Sequence, residues 1–339
     1  MEQHTVARPA PLSRVWSGSK IIADDLTGED LSDVLELHSE APAWWLLPRD
    51  SDDAERSLHE VARQLDLDEF AVRDLLAADR RAKFDELEQA RLLITNALEL
   101  DRDRAVLTDH PVSVVITDRV LIGAADSFDG FRPAQWLTAR QDLLAVGGVE
   151  ACVQAVVAAV IQTYEEVVDW LEDASDRLAD ALFEERPLDK NEQVWAFRLR
   201  AALSHLRRLT DPMRTVINEL AESLPEQLPK ATRTALARHW TLLQERHQRV
   251  ANAADSLREA LSSVFDTSLA LADVRLNSIM KKLTGWAAIL AVPTLVTSFV
   301  GMNVGFPLVG THAGFWVYFV IMIMASLALY VVFRRLNWL

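Results

Sequence analysis

Eleven positions near the C-terminal end of the chain follow one another at alternating intervals of four and three residues. They are Asp266, Ala270, Asp273, Asn277, Met280, Thr284, Ala287, Ala291, Thr294, Ser298 and Gly301. On a helix that spacing lines one face. From Thr284 onward the face is small or weakly polar, while its neighbours Ile289, Leu290, Leu295 and Phe299 are bulky and apolar. In the other direction it runs into Asn277, Asp273 and Asp266. Two uses fit. Membrane helices pack closely through Gly, Ala, Ser and Thr. Identical helices around an axis could instead form a pore wall, with carboxylates feeding a cation path. The pattern alone leaves both open.

The elements that must carry this face are a membrane hairpin and a long helix. Residues 283–333 are 51 positions without Asp, Glu, Lys or Arg. One span needs about 20 residues to cross a hydrocarbon core of roughly 30 Å, so two spans and a connector fit. Gly301, Asn303, Gly305, Pro307 and Gly310 punctuate the stretch. The spans are read as about 283–301 and 314–333, joined by an external loop over 302–313. Lys281-Lys282 precede the first span and Arg334-Arg335 follow the second, in a short basic tail over 334–339. The positive-inside rule then puts both chain ends in the cytoplasm, which makes this a multi-pass protein of the cytoplasmic membrane. Trp316 and Tyr318 fall near the outer interface, Tyr330 and Trp338 near the inner one.

Between Pro229 and Gly285 there is no Gly or Pro. The first span therefore continues a long helix over 231–301, roughly 100 Å at ~1.5 Å per residue. Leu243, Val250, Leu257, Val264 and Leu271 recur every seven residues, with Ala254 and Leu261 at a second heptad position. This is a packing seam, within the chain or between copies; the expectation is self-association.

Charge separates tail from body. The chain of 339 residues carries 35 Lys and Arg against 50 Asp and Glu, a formal net of −15. From Lys281 on there is no acid and four basic residues, so the first 280 residues hold a net of −19. A body so acidic is a poor nucleic-acid partner, because phosphate needs a basic face. The single cysteine, Cys152, excludes a disulfide framework and a Cys-based zinc cage. Residues 1–20 are polar and broken by Pro, unlike a signal peptide. Segments 91–100, 112–117 and 120–124 read as strands, the last two joined at Asp118-Arg119. From Pro133 to about Leu224 helix formers dominate, with acidic runs at Glu165-Glu166 and Glu184-Glu185 read as solvated faces. The expected organisation is an N-terminal cytoplasmic α/β domain over 1–130, a cytoplasmic helical region over 131–230, then the long helix and the hairpin.

Gly301-Met302-Asn303 closes the first span, Asn277-Ser278-Ile279-Met280-Lys281-Lys282-Leu283-Thr284 precedes it, and the chain ends Arg334-Arg335-Leu336-Asn337-Trp338-Leu339. In these three runs the sequence resembles the CorA family of divalent-cation channels, including the related ZntB branch. The likeness extends to residues 65–76 and to Arg81-Ala82-Lys83-Phe84-Asp85, covering about 60–339. It implies an α+β membrane protein. A cytoplasmic α/β sandwich would be fused to long helices, and five copies would form a homopentameric funnel around one pore, embedded in the bilayer through the two-helix transmembrane hairpin.

The resemblance also implies roles. Gly301, Met302 and Asn303 match the selectivity filter; five Asn303 amides would offer neutral oxygens to the waters of a hydrated ion, and magnesium sheds those waters reluctantly. Thr284, Ala287, Ala291, Thr294 and Ser298 would line the pore, Met280 and Leu283 match an apolar inner constriction, and Asn277 matches a further polar ring. Asp74 and Asp266 match two positions that bind a regulatory cation between adjacent subunits; the usual acid before the first of them is Arg73 here. Asp273 is a possible vestibule carboxylate that concentrates cations. The connector Val304-Gly305-Phe306-Pro307-Leu308 has no acid. That departs from many CorA members toward the ZntB branch, whereas Met302 points back. Magnesium is the favoured ion, as substrate and regulator, with zinc, cobalt and nickel as alternatives and proton coupling as a property of the ZntB branch.

Enzyme signatures are missing: there is no Gly-x-x-x-x-Gly-Lys loop, no His-Glu-x-x-His and no Gly-x-Ser-x-Gly. The eight histidines are scattered, the best-spaced pair being His239 and His247. No organic small-molecule substrate is expected. A two-span structural or sensory protein would account for hairpin and rod, but not for a lane ending in Gly301-Met302-Asn303.

Overall fold

In β5 (Arg91–Asp101) Leu92 and Ile94 face one way, Leu93 and Thr95 the other, and all four are buried. Such a strand needs cover on both sides, and the fold supplies it. The computed structural model describes residues 12–338 except 19, 25, 27, 39–40, 50–53, 66, 68, 77–80, 126–129, 184–186, 303–304 and 306–310.

Seven described strands form one mixed sheet. They are β1 (Leu12–Ser17), β2 (Lys20–Asp24), β3 (Ala43–Pro48), β4 (Lys83–Glu86), β5, β6 (Val106–Ile116) and β7 (Val120–Ala125), in the order β2-β1-β3-β7-β6-β5-β4. Only β3 and β7 run parallel. One face packs on α1 (Gly28–Leu37), α2 (Ala54–Gln64) and α3 (Glu69–Leu76), where Trp45, Leu92, Ile94, Val115 and Ile122 meet Leu31, Leu58, Val61 and Leu75. Two short helices follow the sheet, α4 (Pro133–Thr138) and α5 (Gln141–Gly147).

The other face packs on α6 (Val149–Phe183) and α7 (Lys190–Glu222). The Tyr164 hydroxyl donates to the Asn96 carbonyl at 2.6 Å, and Thr163 Oγ1 accepts from Leu98 N at 3.0 Å. Thr95 Oγ1 reaches Met213 Sδ at 3.3 Å, and Arg91 pairs with Glu150. Helix α6 contains an 18-residue window apolar enough for a membrane span, yet 83% of that window is buried inside the protein, and every one of residues 151–161 is buried.

The expected strands at 91–100, 112–117 and 120–124 are present, but β6 starts at Val106, six residues early. Pro111 hides the extension, because a proline cannot donate to a central ladder. It is tolerated because β7 pairs β6 only over Val112–Ile116, so at Pro111 the second edge of β6 has no partner strand among the described residues.

Helix α8 (Lys230–Val300) is continuous for 71 residues, and α9 (His312–Arg335) is the second apolar helix. Thr311 caps α9 by accepting from Gly314 N at 3.1 Å. Both helices are long and apolar enough to cross a membrane, and their apolar windows are almost wholly unburied. The chain divides into two compact units, Met1–Leu178 with Lys190–Ser262, and Ala179–Asp189 with Ser263–Leu339.

Candidate functional site: the small-residue lane of the long helix

Helix α8 carries two faces with different fates. In the first unit Leu236, Trp240, Leu243, His247, Val250, Ala254, Leu257 and Leu261 are all buried. Polar groups fix this face to its neighbours. Gln154 Nε2 of α6 donates to the Leu236 carbonyl at 2.9 Å, Arg246 Nε holds Glu165 at 2.9 Å, and His247 Nε2 meets the Thr210 carbonyl of α7 at 2.9 Å. In the second unit Val264 and Ser268 continue the face, with Ser268 Oγ accepting from Leu188 N at 3.0 Å. From Leu243 to Val264 the heptad seam is therefore buried within one chain, which corrects the expectation that this stretch joins copies, while Leu271 is only partly covered. The heptad pattern reports that these residues are buried, not which chain buries them.

The candidate lane stands two residues further along, about 200° around a helix of 3.6 residues per turn. Asp266 and Ala270 are thus turned away from Val264 and Ser268, and both are exposed, as are Asp273 and Asn277. The same offset holds in the apolar half. Gly285 is buried, and Ile289, Val292 and Val296 are partly covered, on the side where Trp286 lies 6.5 Å from Tyr330 of α9. Two positions on from these four stand Ala287, Ala291, Thr294 and Ser298, all exposed. Thr284 and Gly301 are exposed with them, and Met280 and Leu283 are 60% and 64% exposed. The lane is thus exposed at each of its positions from Asp266 to Ser298, whereas at its end Gly301 lines a cavity with Gly314 and Phe315 of α9.

Its chemistry suits a hydrated cation. Thr294 Oγ1 donates to the Leu290 carbonyl at 3.2 Å. With its proton committed, the hydroxyl keeps its lone pairs as acceptors. Sequence reasoning passed over Pro293, whose missing N–H leaves the Ile289 carbonyl without its usual helical donor. Thr297 stands on the side facing α9, with its hydroxyl on the Pro293 and Thr294 carbonyls at 2.9 and 3.0 Å. The signal that could have found this turn is a proline inside an apolar span.

Helix α8 ends at the signature. Gly301 N still donates to the Thr297 carbonyl at 2.9 Å, and Met302 N to the Phe299 carbonyl at 3.3 Å, in a closing turn. Met302 is half exposed. Asn303, the third residue of the triplet, lies outside the described residues, as do Val304 and 306–310.

Asp74 has a partner that the motif did not reveal. Lys83 Nζ of β4 lies 3.0 Å from Asp74 Oδ2 and 3.2 Å from Asp85 Oδ2. Partial burial works against the ammonium, but its hydrogen bonds and the charges of both carboxylates outweigh that, so the lysine pKa is raised. A cation arriving at Asp74 must share the carboxylate with this ammonium. Asp266 belongs to the second unit and Asp74 to the first. Among the described residues of a single chain no group of three or more His, Cys, Asp or Glu side chains could hold a metal ion. His239 and His247 are likewise separated: His247 faces Thr210, and His239 lies edge-on to Trp136 with ring centroids 6.1 Å apart.

The comparisons agree with this architecture. The cobalt/magnesium transport protein CorA of Methanocaldococcus jannaschii is 28% identical over 181 residues, 53% of this chain and 55% of that protein. The protein of the same name from Thermotoga maritima is 21% identical over 275 residues, 80% of this chain and 76% of that one. The complete CorA magnesium transporter structure from M. jannaschii superposes with a TM-score of 0.74 at 19% identity, covering 97% of this chain and 99% of that one. The full-length CmaX protein gives 0.69 at 20% identity, covering 98% and 100%. The ZntB cytoplasmic domain from Vibrio parahaemolyticus gives 0.52 at 14% identity, covering 68% and 88%. The model of the CorA-like Mg2+ transporter protein family matches residues 44–335, so the chain belongs to that family.

Proposed function

We propose that this chain is the protomer of a homopentameric channel that moves hydrated divalent cations, magnesium foremost, across the cytoplasmic membrane. The observation that carries the reading is the lane: a face of α8, small and weakly polar in its apolar half, exposed at each of its positions from Asp266 to Ser298. A face of that composition in lipid would gain little from the bilayer, whereas five copies around an axis would enclose it as a wet path.

Each position has a task in this reading. Asp266 and Asp273 raise cation concentration at the inner mouth. Asn277 offers amide oxygens, and Met280 with Leu283 forms an apolar ring that resists ions when the funnel is tight. Thr284, Thr294 and Ser298 accept hydrogen bonds from the water shell past Ala287 and Ala291. Gly301-Met302-Asn303 forms the filter, where neutral oxygens bind a hydrated ion without retaining it. Cation bound between subunits at Asp74 and Asp266 favours the closed funnel by mass action. Both chain termini lie in the cytoplasm, on the strength of the paired basic residues outside each span.

The second reading is a ZntB-like transporter of zinc, cobalt or nickel with proton coupling. It is favoured by one feature, the acid-free connector with Gly305 and Pro307. Flux into proteoliposomes, compared for magnesium, zinc and cobalt at two proton gradients, separates the two. Magnesium flux indifferent to the gradient supports the channel, and zinc flux that follows the gradient supports the alternative. A purified protein that is monomeric in lipid and carries no flux overturns both.

A further inference from the structure

The acidic body contains a cleft of the opposite sign. Between α7 and α8, Arg200, Arg207, Arg208 and Arg258 converge on a cavity of about 320 Å³, together with Ser204 and Asp211. Arg207 is held by Asp255 of α8 at 3.2 Å. Arg200, Arg208 and Arg258 take part in no ion pair and no side-chain hydrogen bond among the described residues. Counting Asp211 and Asp255 against four arginines, the cleft keeps two positive charges, within a region whose first 280 residues sum to −19.

Solvated arginines on a helix face are ordinary; this arrangement differs in one respect. Arg200, Arg207 and Arg208 stand at intervals of seven and eight on one face of α7, and a fourth guanidinium reaches the same hollow from another helix. Like charges so gathered repel one another unless an anion joins them. The planar guanidinium fork matches phosphoryl oxygens in a bidentate way. Ser204 Oγ, whose proton is on the Arg200 carbonyl at 2.9 Å, remains as an acceptor for a protonated or water-bridged oxygen. The net charge of the body selects the size of the guest. An extended polyanion such as a nucleic acid would meet the surrounding acidic surface and be repelled, whereas a compact anion touches only the arginines.

We propose that this cleft binds a compact phosphoryl anion bearing several negative charges, of the polyphosphate class, from a soluble source or from a lipid headgroup. The site is independent of the transport reading and is tested by binding alone. Full-length protein in neutral detergent, free of divalent cations, is titrated calorimetrically with sodium tripolyphosphate and, separately, with dispersed dioctanoyl phosphatidate. The expected result is saturable tripolyphosphate binding that weakens at least tenfold in the double variant Arg208→Gln/Arg258→Gln, less in Arg208→Lys/Arg258→Lys, and not at all in Arg249→Gln, an exposed arginine of α8 outside the cleft. Rising salt should weaken it further. The same pattern with phosphatidate and not tripolyphosphate assigns the site to a headgroup. Absence of saturable binding by both anions overturns the proposal, and so does equal weakening in Arg249→Gln. Circular dichroism of each variant guards against misfolding, and the lysine pair keeps the test decisive if the glutamine pair unfolds.

Discussion

Lys83 Nζ bridges Asp74 and Asp85, at 3.0 and 3.2 Å, so the carboxylate matched to a regulatory cation site already holds a cation of its own chain. Both partners are about a third to two-fifths exposed, where such pairs contribute about 0–1 kcal/mol. The ammonium therefore competes with a divalent ion without excluding it. Arg73, in place of the family's usual acid, adds a second positive charge, this one on α3, the helix that carries Asp74.

Removing that competitor should tighten regulation. For Lys83→Met the internal magnesium concentration giving half-inhibition of flux is expected to fall by up to about fivefold, the factor equivalent to the loss of a pair worth at most ~1 kcal/mol. Asp266→Ala should move it the other way. Flux measured against internal magnesium in proteoliposomes reads both, and identical inhibition curves for wild type and Lys83→Met would remove Asp74 from the sensor.

The heptad of α8 was legible because apolar residues recur every seven positions, and the lane because small residues recur beside bulky ones. Neither pattern says which protein atoms cover a face, so the heptad suggests self-association although the seam residues from Leu243 to Leu261 are buried within their own chain, where α6 and α7 bond to the same face. The early start of β6 was hidden by Pro111, whose acceptability depends on where a different strand ends. The Asp74–Lys83 pair joins a helix to a strand nine residues later, a contact that no periodicity announces. Asn303, on which the filter rests, was named by a three-residue signature, and its geometry lies outside the described residues.

His247 introduces a pH dependence that has nothing to do with transport. It is 2% exposed on the buried face of α8; burial, mainly, and the Arg214 charge lower its pKa, against the Thr210 carbonyl and the Asp211 charge, which raise it. With the folded pKa below the unfolded value of about 6.5, the unfolded chain takes up the proton first as pH falls. Stability is complete above about pH 6.5, falls below it, and levels off once the folded histidine also protonates. His239, lowered by burial and by Arg140, acts in the same direction. The Tm of the detergent-solubilised protein should drop between pH 7.5 and 5.5, and His247→Gln should shrink that drop. An undiminished drop would assign the acid sensitivity elsewhere.

The offset between the two faces of α8 allows packing and pore to be tested separately. Leu257 and Leu261 lie on the covered face, and alanine there opens a cavity at a cost of about 2–5 kcal/mol. Ala291 is on the exposed lane. Ala291→Leu should leave monomer stability and oligomer size unchanged while reducing flux by tenfold or more, since five added side chains narrow one ring. Leu261→Ala should lower Tm with little direct effect on the conductance of the channels that survive. Normal flux through Ala291→Leu would place the pore on another face of the helix.

The filter assignment makes the sharpest demand. Five Asn303 side chains are proposed to bind water already attached to magnesium, so the amide oxygen matters and the length of the side chain matters with it. Asn303→Ala removes the oxygen and should abolish magnesium flux while pentamers still form on size exclusion. Asn303→Asp keeps the geometry but replaces a neutral acceptor by a charge, which binds a divalent ion more tightly and releases it more slowly. Flux in that variant should fall although binding strengthens, a combination that loss of folding cannot produce. Unaltered flux in Asn303→Ala would show that the ion is selected elsewhere on the lane.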